Sequence, residues 1–403
     1  MKGIGGSTAA EQLADLSRWA EIAPAIGQDE RLARIEKARK LTRDLGADAL
    51  IIGAGASLRY FAGVSWGGTE RLVALMIPVT GDPIMIAPYF ELGSLEAELA
   101  IPVEIRLWQE DESPTALVAD ACRAWGAATL AIDPALPFLF VDRIAKSAPG
   151  LTLTSGAAAV DGCRMHKSAA EIALMQQAKS MTLEAHRRAA LILREGIRAS
   201  EVIRFIGDCH RAMGAGAGGS GSSTFCMVQF GRGSAFPHGL PGDPELHEGD
   251  MVLIDTGTTV HGYHSDITRS YVFGKPDDEQ RRIWDLEKAA QAAAFDAAQP
   301  GHPCEVVDGA ARRVLEAAGL GPDYALPGLP HRTGHGIGLS IHEPAYLVRG
   351  DTTPLATGMC FSNEPMIVIP DRFGIRLEDH FYMTDGGPRW FTEPQVAIDA
   401  PFG

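Results

Sequence analysis

The feature that most constrains this chain is a set of acidic residues placed in or against apolar, strand-like runs in its second half. The stretch VLIDTGTTVHGYHSDITRS, residues 252–270, ends one apolar run on Asp255 and carries Asp266 eleven residues later in a second run of strand character. In HGYHSDITRS the two-residue period of a strand puts His264, Asp266 and Thr268 on one face. CFSNEPMIVIP sets Glu364 in a strand, and FGIRLEDHFYM sets Arg376, Glu378 and His380 on one face of the next. PHRTGHGIGLSIHEP adds His331, His335 and His342 among glycines. Singly, each residue has an ordinary explanation. An Asp at a strand end is a turn residue or a helix cap, a His beside glycine is a loop residue, and a Glu in an apolar strand can pair with an Arg such as Arg376. Together they ask for a shared counter-charge, because an unpaired buried charge is costly or is neutralised by protonation. A pair of divalent cations meets that need. An oxygen-rich set with one imidazole suits Mn, Co or Fe better than a thiolate-preferring structural zinc. Two such ions roughly 3.5–4 Å apart hold a bridging water, make it a hydroxide nucleophile near neutral pH and polarise a carbonyl oxygen. That is the apparatus for hydrolysing an amide without a covalent enzyme intermediate.

Composition narrows the setting. A chain of 403 residues is long for one core, so two domains are expected. With 46% hydrophobic and 22% charged residues it reads as soluble and globular, and no apolar stretch approaches the ~20 residues that span a bilayer. The opening MKGIGGSTAAEQLADLSRWAEI lacks an apolar core and a cleavage pattern, which reads as a mature cytoplasmic start. The cysteines at 122, 163, 209, 226, 304 and 360 form no CxxC pair, so reduced thiols are expected and a structural zinc knot is not. A formal charge of −15 argues against a nucleic acid partner, since phosphate binding needs a basic surface.

Along the first half, helix and strand signals alternate. DERLARIEKARKLTRDLG has helical periodicity with Gly46 as its stop; ADALIIG, ERLVALMIPV, DPIMIAP and ATLAID read as short buried strands, and TALVADACRAW as a helix. This is an α/β domain ending near residue 160. Ser168 and Glu171 then form a capping box ahead of a long amphipathic helix, with a second helix near 199–213. GAGAGGSGSS, 214–223, lacks both the Lys-Ser/Thr and the GxGxxG order of phosphate loops and reads as a loop before a strand. Strands with hairpin turns follow, interrupted by helices near 278–297 and 303–318, an α+β pattern with an antiparallel sheet.

Asp255, the step to Asp266, HGIGLSIHEP, NEP and GIRLED together resemble the pita-bread metallopeptidases, a family that includes methionine aminopeptidase, aminopeptidase P and prolidase. The resemblance covers nearly the whole chain. Residues 1–160 are similar to the creatinase-like N-terminal domain, and RMHKSAAEIALMQQA to the opening of the catalytic domain, 161–403. The fold implied is an α/β creatinase-like domain followed by an α+β pita-bread catalytic domain with an antiparallel sheet. The resemblance implies Asp255, Asp266, His335, Glu364 and Glu378 as ligands of two divalent ions, manganese first, with cobalt, zinc and iron as alternatives. Asp266 and Glu378 would bridge. Glu364 would also be the general base. His238, in GSAFPHG, would assist at the leaving nitrogen; His342 would hydrogen-bond the scissile carbonyl oxygen as charge develops; and Arg376 would orient ligands or substrate. His331 is a substrate-side or outer contact. His261, His264 and His380 have no assigned role.

The two-domain length excludes the compact methionine aminopeptidase layout. EPAYLVRGDTTPLATGM and WFTEPQVAIDAPFG resemble bacterial Xaa-Pro dipeptidases, so the expected substrate is a small peptide with proline at P1′. Arg349 is then the candidate clamp for the free carboxylate, a bidentate task that suits Arg; its alternative is a solvated loop charge. The resemblance further implies a homodimer, and the lack of a long apolar stretch leads to the expectation of no membrane partner. Aminopeptidase P, a sulfonium lyase on the same fold, and a non-catalytic binding protein stand as the other readings. Where the family commonly has Glu-Pro-Gly-Ile-Tyr, this chain has Glu364-Pro365-Met366-Ile367-Val368. The missing Gly removes backbone freedom beside a ligand, and the missing Tyr removes a hydroxyl near the metals.

Overall fold

In a computed structural model of the chain, residues 3–216 and 224–402 are described. Of the Gly-rich stretch 214–223, residues 217–223 lie outside them. The chain divides into two compact units.

The unit from Ile26 to Arg164 is built on one six-stranded sheet. Its strands are β1 (Ala49–Gly53), β2 (Ala74–Pro78), β3 (Ile84–Pro88), β4 (Glu104–Trp108), β5 (Thr129–Ile132) and β6 (Thr152–Ser155), in the order β4-β3-β2-β1-β5-β6. The β1–β5, β5–β6 and β3–β4 pairs are parallel; β2 runs against both its neighbours. Every residue of β1, β2 and β3 is buried, which is why ALIIG, ALMIP and IMIAP are apolar throughout instead of alternating. The helix Pro114–Trp125 opens on a proline, closes at left-handed Gly126, and buries Val118, Ala121 and Cys122 in the core that contains Ile51, Met76 and Leu130.

The second unit contains everything from Met165 onward and also the first residues, up to Ala25. Those early residues bond to its helices: Gly5 N donates to Ala190 O at 2.8 Å, Ser7 N to Leu191 O at 3.1 Å, and Trp19 N to Met213 O at 3.1 Å. The helix Ala169–Leu191 starts at the reciprocal Ser168–Glu171 box, with bonds of 2.9 and 3.3 Å. Beyond it, β7 (Phe225–Phe230), β8 (Met251–Gly257) and β11 (Ile267–Val272) form an antiparallel sheet in the order β11-β8-β7; between its last two strands in sequence lies the ribbon of β9 (Thr259–Val260) and β10 (Tyr263–His264). A five-stranded antiparallel sheet follows, β13-β12-β14-β17-β18, from β12 (Gly334–Gly336), β13 (Glu343–Leu347), β14 (Cys360–Asn363), β17 (Asp379–Thr384) and β18 (Gly387–Trp390). The hairpin of β15 (Met366–Ile369) and β16 (Phe373–Arg376) stands apart. Helices Asp278–Ala297 and Cys304–Ala317 share a core with these strands, Ile283, Trp284, Val307 and Leu315 joining Leu253, Phe361 and Phe381.

The strands differ from the sequence reading where the acidic residues sit. CFSNEPMIVIP is two strands, not one: β14 stops at Asn363, Pro365 has no N–H to extend the ladder, and Glu364 lies at the break with its own N–H on Thr333 O at 2.8 Å. FGIRLEDHFYM is likewise divided between β16 and β17, and Glu378 at the junction donates its N–H to Thr268 O at 3.1 Å. In the β8–β11 register Thr268, not Asp266, stands opposite Asp255; Asp266 comes just before β11 begins. Met366, where the family has Gly, is an ordinary strand residue paired with Arg376, its side chain in the core. Gly374 provides the room: a Cβ there would come within 2.4 Å of Ser234 O and 2.7 Å of Met366 Cε. Val368 is likewise in the core and pairs with Gly374.

Candidate metal centre

The breaks and the register bring Asp255, Asp266, His335, Glu364 and Glu378 together. Three triads have ligand atoms within 4.8 Å of one another: Asp255–Asp266–Glu378, His335–Glu364–Glu378 and Asp266–His335–His342. Glu378 belongs to the first two, and Asp266 to the first and third.

His335 is buried, its Nδ1 3.0 Å from Gly336 O, which fixes the proton on Nδ1. Nε2 faces Glu364 Oε1 at 3.0 Å and Asp266 Oδ2 at 3.9 Å. Ser362 Oγ donates to Glu364 Oε1 at 3.1 Å and accepts the His335 N–H at 2.9 Å, tying the two residues together. Thr268 Oγ1 donates to Glu378 Oε2 at 2.6 Å and accepts Arg376 Nε at 3.0 Å. The same guanidinium pairs with Asp255 Oδ2 and donates to Pro237 O at 3.1 Å, which holds the Pro237-His238 turn beside the cluster. One guanidinium is therefore the only full cation in hydrogen-bond contact with these acids among the described residues.

It does not suffice. Asp255 Oδ1, Asp266 Oδ1 and Glu378 Oε1 are buried with no hydrogen-bond partner. Burial, then the charges of Glu378, Asp255 and Glu364, push Asp266 well above the usual carboxylate range. Burial, then Glu364 and Asp255, do the same to Glu378. Burial raises Asp255 too, against the pull of Arg376. Burial also acts to raise Glu364, but the His335 hydrogen bond and the charges of His335, His331 and Arg376 outweigh it and hold Glu364 low. Orphaned carboxylate oxygens, converging and mutually repelling, together with an imidazole nitrogen that would give up its proton to bind an ion, are the donor set that divalent cations fit.

Of the other sequence-predicted residues, all but Arg349 fall around this cluster. His342 is exposed at the surface, but its ring lies 4.1 Å from that of His335, and partial desolvation of the imidazole on that side, with the His335 charge, lowers its pKa to about 4. His238 is exposed and its charge also bears on His342. His331 bonds through Nδ1 to Arg332 O at 2.7 Å, leaving Nε2 buried without a partner. Arg349 is not drawn in: it is exposed and ion-paired with Asp323. His380 is buried with neither ring nitrogen bonded, and burial drives its pKa far down.

The sequence reading passed over several contributors. Arg332 lies 4.5 Å over the ring of Tyr346, the cross-strand partner of His335, so its guanidinium is on the ligand face, and its charge acts on His342. Lys167 Nζ meets Glu343, the residue after His342, at 2.6 Å in a buried ion pair. Lys179 is wholly buried, donates to His264 O at 3.1 Å and stands 4.7 Å over Phe391; burial brings it down to about 7. Only the apolar surroundings of Lys179 and the EP after His342 hinted at these roles.

Known proteins share the fold of this chain. Residues 173–385 match metallopeptidase family M24, and residues 34–166 match the creatinase/prolidase N-terminal domain. The crystal structure of dipeptidase PepE from Mycobacterium ulcerans is similar with a TM-score of 0.84 at 34% identity, over 94% of this chain and 100% of that one. A recombinant prolidase from Thermococcus sibiricus gives a TM-score of 0.81 at 28% identity, over 92% and 98%. An Xaa-Pro dipeptidase of Lactobacillus helveticus is 31% identical over 369 residues, covering 89% of this chain and 96% of the relative. Among the described residues, no helix is long and apolar enough to cross a membrane. With its creatinase-like first domain, its pita-bread second domain and this acidic cluster, the chain belongs to metallopeptidase family M24.

Proposed function

We propose that this metallopeptidase is an Xaa-Pro dipeptidase that works with two divalent cations, manganese first, held by Asp255, Asp266, His335, Glu364 and Glu378. The observation that carries the reading is that Asp266, Glu378 and His335 each belong to two of the three triads, and that both carboxylates keep an orphaned oxygen; that supports two neighbouring cations, which Asp266 and Glu378 would both help to hold. The dipeptide reading is supported by the relatives named dipeptidase, prolidase and Xaa-Pro dipeptidase.

When bound, the cations supply Lewis acidity that turns water into a nucleophile near neutral pH and polarises the scissile carbonyl. The rest is done by side chains. Glu364, steadied by Ser362 and His335, takes the proton of the attacking water. His342, neutral at pH 7, donates a hydrogen bond to the carbonyl oxygen as charge develops there. His238, on the turn that Arg376 anchors, supplies a proton to the departing proline nitrogen. Arg376 keeps Asp255 and, through Thr268, Glu378 aimed inward. The free carboxylate of the substrate needs a guanidinium. Arg349 meets it only by leaving Asp323, whereas Arg332 has no carboxylate partner among the described residues.

The test is a panel of Xaa-Pro dipeptides and longer Xaa-Pro peptides, assayed with Mn, Co and Zn, with bound metal measured on the purified protein. Manganese-stimulated release of proline from dipeptides, abolished in Asp266→Ala, is expected. Tripeptides cleaved as fast as dipeptides reassign the enzyme to aminopeptidase P, acrylate from a sulfonium substrate makes it a lyase, and failure to bind any divalent ion removes the catalytic reading.

A further inference from the structure

Behind the metal-facing side of β11 lies a second site. Thr268 and Ser270 point towards Glu378 and Arg376; Arg269, between them, points the other way and lines a separate cavity of about 710 Å³. That volume lies within the ~300–1,000 Å³ of small-molecule sites. None of the candidate metal ligands lines it.

We propose that this cavity binds a free α-amino acid with an apolar side chain. The walls include Trp19, Leu183 and Phe402, and Val396 stands at the opening, 67% exposed, an apolar surface that an occupant would cover. Uncommitted charge of both signs faces the same space. Arg187 and Arg188 share one carboxylate, Glu184, with bonds of 2.6 to 2.8 Å, so two guanidiniums meet a single negative charge. Asp15 and Glu393 line the cavity with no ion-pair partner among the described residues. A plain carboxylic acid would satisfy the arginines and oppose Asp15 and Glu393; a plain amine would do the reverse. A zwitterion carries one charge for each, and an apolar side chain suits the aromatic wall.

Arg269 connects the cavity to the metal centre. It is 1% exposed, and its Nε is buried without a partner. Its other nitrogens donate to Asp379 Oδ1 at 2.7 Å and to the backbone oxygen of Glu378 at 3.0 Å. An occupant that shifts Arg269 therefore shifts the peptide that carries Glu378, and by linkage metal or substrate binding shifts affinity for the occupant. Amino acids are what a dipeptidase releases, so feedback by product rests on the function proposed above; occupancy of the cavity does not.

The test is calorimetric titration of the full-length protein with L-phenylalanine, with manganese and again after chelation, so that the metal centre does not account for the heat. Saturable 1:1 binding in both states is expected. N-acetyl-L-phenylalanine and phenethylamine, each lacking one charge, should bind at least about tenfold more weakly. Trp19→Ala and the exposed Glu393→Gln should each weaken L-phenylalanine by about tenfold or more while the circular dichroism spectrum stays unchanged. No saturable binding overturns the proposal, as does binding that survives both substitutions or is as tight for the acetylated analogue. A protein that binds L-phenylalanine in this way yet does not cleave Xaa-Pro keeps the cavity site and loses only the dipeptidase reading.

Discussion

Glu287 offers the most direct check on the electrostatics behind the metal centre. It lies on the helix Asp278–Ala297, is 0% exposed, and neither carboxyl oxygen has a well-formed hydrogen bond, the Leu377 amide acting on it from less favourable geometry. Burial pushes its pKa well above the carboxylate range, opposed only in part by the Leu377 amide and the charge of Arg376. A folded-state value raised in this way means that the folded chain keeps a proton the unfolded chain releases. Stability is thus fully present below the ordinary Glu value of ~4.3 and declines as pH rises from there to the folded value. Glu287→Met keeps the length of the side chain and removes the polar group, so it should stabilise by about 1–3 kcal/mol near pH 5. Towards pH 8 the gain should grow, by about 1.4 kcal/mol for each unit separating the folded and unfolded values. Glu287→Gln keeps an unsatisfied polar group and removes only the ionisation, so its gain should be confined to the pH-dependent part. Urea unfolding at about pH 5 and about pH 8 reads both, and in thermal unfolding each kcal/mol should appear as about 1–2 °C in Tm. A Met variant less stable than the parent at both values, or a gain larger in acid, would refute the assignment of Glu287 as an uncompensated buried carboxyl.

Three further outcomes follow from the same geometry. Thr268→Val removes the donor to Glu378 Oε2 and the acceptor of Arg376 Nε with little change of shape, so manganese affinity should fall about 10–100-fold while activity recovers at saturating metal; a metal titration with unchanged affinity would count against it. Arg332→Ala should raise KM for an Xaa-Pro dipeptide by about tenfold more than Arg349→Ala does, and the difference should vanish with the proline amide; the reverse order would return the clamp to Arg349. Lys167→Met breaks the buried ion pair with Glu343, at a cost of about 3–5 kcal/mol, and adding Glu343→Leu should recover most of it in urea unfolding.

Much of this site could be read from the chain because carboxylates in apolar strands are physically conspicuous: Asp255, Asp266, Glu364 and Glu378 each stood out against Val, Ile, Leu or Met neighbours. The Ser168–Glu171 box and the all-apolar strands of the first unit were legible for the same local reason. What was hidden depends on partners far along the chain. Arg349 reads as a carboxylate clamp or a solvated loop charge until the fold brings Asp323 to it from 26 positions away, and nothing local marks Lys167 as the partner that Glu343 meets from 176 positions away. The first residues join the second unit through contacts such as Gln177 Nε2 to Glu21 O, across 156 positions, which no local pattern announces.

The strand breaks were hidden for a different reason, and they explain how the centre is built. FGIRLEDHFYM alternates well enough to pass for one strand, yet a carboxylate inside a continuous sheet is aimed by the pleat at whatever covers that face. Where a strand ends and its successor joins another sheet, the junction residue is released from that alternation, and a single backbone bond can set its direction. Glu378 donates that bond to Thr268 O and Glu364 donates its own to Thr333 O. Asp266 sits in the same kind of position, just ahead of β11. Three of the acids are therefore aimed by junctions and one, Asp255, by the interior of β8, with Arg376 holding it. Periodicity finds such residues because they are chemically out of place, but it cannot find the breaks, since these are decided by which sheet each flanking segment joins.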